Sequence, residues 1–138
     1  MNIDSIQNGV VIDHITAGRG MKLYDLLGLD KLDCSVAIIK NVNSGKMGKK
    51  DIIKIDADIP VNLDVIGYVD PGATVNIIHG CELTEKRTIE MPETLTNVIK
   101  CKNPRCITSV EQELDHVFKL TDKAEKVYRC IYCETKAK

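Results

Sequence analysis

Four cysteines constrain this chain more than anything else in it. Cys101 and Cys106 are spaced C-x4-C in "KCKNPRC", and Cys130 and Cys133 are spaced C-x2-C in "RCIYC". Two such turns can bring four thiolates into a tetrahedron, the arrangement structural Zn²⁺ prefers, although a tetrahedral sulfur set also suits iron. The segment around them, 97–138, has few large apolar residues: Phe118, Tyr128 and Tyr132 are its only sizeable aromatics. A piece this short cannot bury enough surface to fold unaided, and a metal site supplies on the order of 10 kcal/mol toward folding. With all four positions filled by sulfur, none is left for an activating water. The expectation is one structural metal per chain, not a catalytic one.

Charge divides the 138-residue chain at the same place. Residues 1–96 hold 10 basic and 14 acidic side chains, and residues 97–138 hold 9 and 6. The whole is nearly neutral, its lysines are dispersed and it has few stacking aromatics, which argues against nucleic acid as a partner. No apolar run spans a bilayer, and "MNIDSIQNGV" has neither the basic start nor the apolar core of a signal peptide. A cytoplasmic protein without membrane association or disulfides is expected. The terminal C-x-x-C does not open a helix after a βαβ strand, so a redox dithiol is in the wrong context.

Periodicity before residue 96 predicts strands at Gly9–Ala17, Cys34–Val42, Lys50–Asp56, Thr74–His79 and Cys81–Met91, with helices at Gly20–Leu29 and Pro60–Tyr68. The order β-α-β-β-α-β plus an extra strand is the split βαβ, ferredoxin-like pattern. The fold class is therefore α+β, with a ferredoxin-like domain at 1–92 followed by a small all-β zinc-binding domain at 97–138. "MPETLTN" (Met91–Asn97) reads as the linker, and "NVIKC", "DHVFKL" and "KVYRC" as small strands. Cys34 and Cys81 read as small hydrophobes buried in strands.

The polar residues of the first domain are scattered: Asp13, His14, Lys50, Lys54, Asn76 and Lys86. Lys50, Ile52 and Lys54 share one strand face. Asp13 and His14 are adjacent, so they can serve one ligand only at a strand end or a bulge. Neither a P-loop, a Gly-rich nucleotide fingerprint nor a catalytic serine motif occurs in the sequence.

Taken together, "GVVIDHI", "SGKMGKKDIIKI", "PGATVNII", "MPETLTNVIKC" and the cysteine spacing resemble the regulatory chain of aspartate carbamoyltransferase. The resemblance implies a noncatalytic subunit of pyrimidine biosynthesis. Its N-terminal allosteric domain would bind the effectors CTP, ATP and UTP. Its zinc domain would dock on the catalytic chain. Regulatory-chain homodimers would bridge catalytic trimers in a heterododecamer of six catalytic and six regulatory chains. Carried over by position, the effector site comprises Ile6, Val11, Asp13, His14, Lys50, Lys54, Asn76, Ile78 and Lys86, with Lys54 near base and ribose and Lys86 near the phosphates. Asn103 and Glu134 would face the catalytic chain. Val10 stands where the family often has Thr, a Tyr common near position 81 is missing, and Arg105 replaces a second asparagine.

Overall fold

The computed structural model describes residues 6–137, which include every candidate site residue. The chain forms two compact units that divide between Glu90 and Met91. The first contains β1 (Gly9–Thr16), α1 (Gly20–Leu26), a 3-10 turn (Leu29–Lys31), β2 (Val36–Ser44), β3 (Gly48–Ile55), α2 (Leu63–Val69), β4 (Thr74–His79) and β5 (Glu82–Thr88). Its sheet has the order β2-β3-β1-β4-β5, and every neighbouring pair is antiparallel. Strands β1 and β2 run in the same sense with β3 inserted between them, which makes this the split βαβ arrangement, and β5 extends it by one edge.

One face of the sheet is the core. Val10, Ile12, Ile15, Ile53, Ile55 and Val75 are buried with Leu23 of α1 and Val65, Ile66 and Val69 of α2. The alternate residues Val11, Asp13, Lys50, Ile52, Lys54, Thr74, Asn76 and Ile78 are only partly buried, as expected of a sheet with one face left open.

Several element boundaries move from expectation for identifiable reasons. Helix α1 stops at Leu26 because Gly28 takes a left-handed conformation (φ 68°) and the chain continues as a 3-10 turn. Helix α2 does not begin at Pro60: Asn62 caps it by accepting the N–H of Asp64 at 3.0 Å, and Pro60 lies in the preceding loop. Cys34 is half-buried outside β2. Cys81 is exposed, in a two-residue hairpin turn where Gly80 (φ 59°) and Cys81 (φ 67°) are both left-handed. Neither cysteine is the buried strand residue that local composition suggested.

The second unit contains β6 (Thr94–Thr96), a four-residue helix α3 (Ile107–Val110), β7 (Val117–Asp122) and β8 (Val127–Cys130), with sheet order β6-β7-β8. The segment read as a linker thus supplies a strand, whose Leu95 is wholly buried beside Phe118 and Tyr128. "NVIKC" is a series of bends, not a strand. The Tyr128 hydroxyl donates to the Pro92 carbonyl at 2.6 Å and ties the entry of the unit to its core.

Candidate effector face and metal centre

Register brings the scattered polar residues of the first unit together. Lys54 pairs with Val11, Val11 with Asn76, and Asn76 with Lys86. These four residues form one transverse row over β3, β1, β4 and β5, three strand spacings of about 4.8 Å each. Ile78, two residues along β4, pairs with Gly9. Ile6 lies against Gly9, where an added Cβ would come 2.8 Å from the Ile6 Cγ2 and 2.2 Å from the Ile55 carbonyl oxygen. Only glycine permits that approach.

At the other end of β1, Asp13 and His14 form a bulge. Ile12 pairs with Ile53 and Ile15 with Asp51, so two residues of β1 face the single Ile52 of β3. His14 is left-handed (φ 57°). Its N–H donates to Asp13 Oδ1 at 2.6 Å, and its Nδ1 lies 3.1 Å from Thr74 Oγ1, on the strand opposite. Lys50 Nζ lies 2.9 Å from Asp13 Oδ1. Burial raises the Asp13 carboxyl, but the Lys50 hydrogen bond, the His14 N–H and the nearby positive charge outweigh it and hold the group below its ordinary 3.8. The bulge removes the difficulty that adjacent strand residues point to opposite faces. It also shifts the burial pattern, which runs Val10, Ile12, then Ile15. In the middle of the row, Asn76 Oδ1 is buried without a hydrogen-bond partner, an acceptor suited to a ligand donor.

In the second unit the sulfurs of Cys101, Cys106, Cys130 and Cys133 all lie within 4.8 Å of one another. Cys101 and Cys133 are 3.5 Å apart, and Cys106 and Cys130 are 3.6 Å apart. Four sulfurs at about 2.3 Å from a tetrahedral zinc are about 3.8 Å from each other, so this set fits the ion. The thiols are unequal. Burial pushes Cys101 up to about 12, reinforced by the neighbouring thiols. Burial also opposes ionisation of Cys133, but the Thr135 hydroxyl and N–H and the Asn103 amide overcome it and bring the thiol down to about 6. Cys133 is the natural first thiolate, and a metal must displace protons from Cys101 and Cys130, whose thiols burial pushes up.

Sequence reasoning missed the groups around these sites. Thr108 Oγ1 lies 3.1 Å from Cys106 Sγ, the Cys101 N–H donates to His116 Nδ1 at 3.1 Å, and Thr135 serves Cys133. None has a distinctive spacing. Asn103, which the resemblance would place toward the catalytic chain, is half-buried and braces the metal turn: its Nδ2 donates to Thr135 Oγ1 at 3.2 Å and its Oδ1 accepts the Arg105 N–H at 3.0 Å. Arg105, Ile107, Val110, Ile131, Tyr132 and Glu134 are among the exposed residues of this region.

The chain thus carries a half-open sheet face set with lysines in its first unit and a four-thiol set that fits a metal in its second, the make-up of a two-domain metal-binding chain. Sequence profiles agree: "Aspartate carbamoyltransferase regulatory chain, allosteric domain" matches residues 1–90, and "Aspartate carbamoyltransferase regulatory chain, metal binding domain" matches residues 93–138. Proteins named aspartate carbamoyltransferase regulatory chain are similar throughout. One from Clostridium botulinum is 48% identical over 134 residues, 97% of this chain and 92% of its own. One from Clostridium tetani is 48% identical over 135 residues, 97% and 94%. One from Bifidobacterium longum is 41% identical over 138 residues, 100% and 99%. The chain belongs to the aspartate carbamoyltransferase regulatory chain family, whose members are regulatory rather than catalytic. Among the described residues, no helix is long and apolar enough to cross a membrane.

Proposed function

We propose that this chain is an allosteric subunit that binds CTP, ATP and UTP on the open face of its first sheet and carries the signal to a catalytic chain through a zinc-held docking domain. The observation that supports this most is the row Lys54–Val11–Asn76–Lys86, with Asp13, His14 and Lys50 at one end and Ile6 and Ile78 at the other. A nucleoside triphosphate has an apolar base, a polar ribose and a polyanion. The face offers apolar contact from Val11, Ile6 and Ile78, an unpartnered acceptor in Asn76, and lysines as point charges. Lys54 serves base and ribose, and Lys86 the phosphates. The allosteric role falls to the first compact unit, Met1–Glu90, and the docking role to the second, Met91–Lys138, in a cytoplasmic complex.

The docking surface is the ground around the metal. Ile107 and Val110 follow Cys106, while Ile131 and Tyr132 lie inside the second cysteine turn, and all four are 46% exposed or more. Large apolar groups held by a rigid metal centre are suited to a protein partner. Arg105 and Glu134 supply its polar edge. Two regulatory chains pair through an open sheet edge, β2 or β5, and the dimers join catalytic trimers into the heterododecamer.

The test is to mix the zinc-loaded chain with catalytic trimers from the same source, then measure assembly by sedimentation and activity with each nucleotide. An effector acts only through different affinity for two states of the assembly. Nucleotide responses should therefore appear in the particle and be absent from isolated trimers. Assembly without any nucleotide response, in a chain that binds no triphosphate, would refute the effector reading.

A further inference from the structure

Two neighbouring residues of β3 have opposite charge and opposite surroundings. Lys50 is on the open face, while Asp51 is wholly buried on the core face. Among the described residues, the Asp51 carboxylate is held by backbone N–H groups. Its Oδ2 accepts the N–H groups of Gly18 and Gly20 at 3.0 Å each, and its Oδ1 accepts the N–H of Asn41 at 3.1 Å. It thus joins the turn that leaves β1, the strand β2 and its own strand.

Both neighbours of β3 are bulged beside this residue. Asp13 and His14 of β1 face Ile52, and Lys40 and Asn41 of β2 face Asp51. His14 and Asn41 are both left-handed, at φ 57° and 58°. Such residues persist only where the surroundings fix them. An apolar side chain could fill the same volume, but it could not accept three N–H groups from two other segments. Gly20 completes the fit, because a Cβ there would lie 3.0 Å from Asp51 Oδ2.

We propose that Asp51 is a positioning residue of the effector face. From behind the sheet its carboxylate holds the turn and the bulges that set Asp13, His14 and Lys50 at the nucleotide site, with Asp13 fixing Lys50 and the cationic groups meeting the triphosphate. This rests on the reading of that face as the nucleotide site.

The test uses the full, metal-loaded chain and calorimetric titration with CTP and with cytidine, well below the melting temperature. In Asp51→Asn an NH2 group replaces one acceptor, so at least one of the three N–H groups loses its partner. CTP affinity should fall about tenfold, the scale of one charge-assisted contact, and cytidine affinity clearly less. Because Asp51 acts through the site, the loss should shrink when Lys50→Ala is already present. A residue that only stabilises the fold would lower the melting temperature and leave CTP affinity unchanged in the folded variant. That result, or full additivity with Lys50→Ala, overturns the proposal. If Asp51→Asn does not fold, Gly20→Ala keeps the charge and displaces the contact by tenths of an ångström. It should weaken CTP about threefold, and unchanged affinity there also overturns the proposal. Failure of the unmodified chain to bind CTP would overturn the nucleotide reading itself, together with this one.

Discussion

Lys86 stands on a strand exposed along its whole length, yet its cross-strand partner is the half-buried Asn76 at the centre of the open face. It should therefore contribute charge without contributing to the core. We predict that Lys86→Ala lowers affinity for CTP about 10- to 150-fold, the loss of one charge-assisted phosphate contact worth roughly 1.5–3 kcal/mol. Cytidine should bind almost as before, and equal losses for the two ligands would remove Lys86 from the phosphates. Asp13 allows a prediction about acid. Its folded carboxyl titrates below 3.8, so its ionised form contributes stability that is complete above that value. The contribution is lost as pH falls through the lower folded value. Wild type should therefore lose its advantage over Asp13→Asn between about pH 5 and 2 in urea titrations. A constant difference throughout would show that Asp13 has no depressed carboxyl.

The second unit is built from small elements that depend on one another. Strand β6 has three residues, and of these only Leu95 is buried, without residual exposure. Truncation to Leu95→Ala should cost about 2–5 kcal/mol. A unit with so few apolar residues should show this as easier metal loss, at lower chelator concentration, before any change in the first unit. The metal turns should be less tolerant still. Without the Cys130 sulfur the remaining three thiols cannot close the tetrahedron. Cys130→Ala should lose the metal and, with it, assembly onto catalytic trimers. Nucleotide binding should survive, because the first sheet has its own core. Equal loss of both properties would make the chain one cooperative unit.

For the whole molecule the two units imply separable failures. A thiol-reactive mercurial should release active catalytic trimers that no longer answer to nucleotides, since metal and docking surface disappear together. Acidification should act in the same direction, because protons compete with the metal for thiolates, more strongly at Cys101 than at Cys133. Metal release followed with a chromogenic chelator should therefore rise as pH falls. Stoichiometric assembly by protein verified to be free of metal would contradict this.

Local sequence determined much of this protein. The cysteine spacings named the four thiols that the fold gathers within 4.8 Å of one another. The alternation in "KKDIIKI" placed Lys50 and Lys54 on one face, because side chains in a strand repeat every second residue. The order of elements limited the fold to a split βαβ domain and a small second sheet. Two signals were present but ambiguous. Apolar residues three apart in "IDHI" marked the bulge, and Asp51 at a core position of β3 marked a buried carboxylate with obligatory partners. Only the tertiary structure could decide the rest. It made Val11 the neighbour of both Lys54 and Asn76, put Cys81 in a left-handed turn, made a strand of the supposed linker, and tied the Asn103 amide to Thr135. The physical reason is that strand register and hydrogen-bond partners are settled between segments far apart in the chain. No window of neighbouring residues contains the energy that selects them.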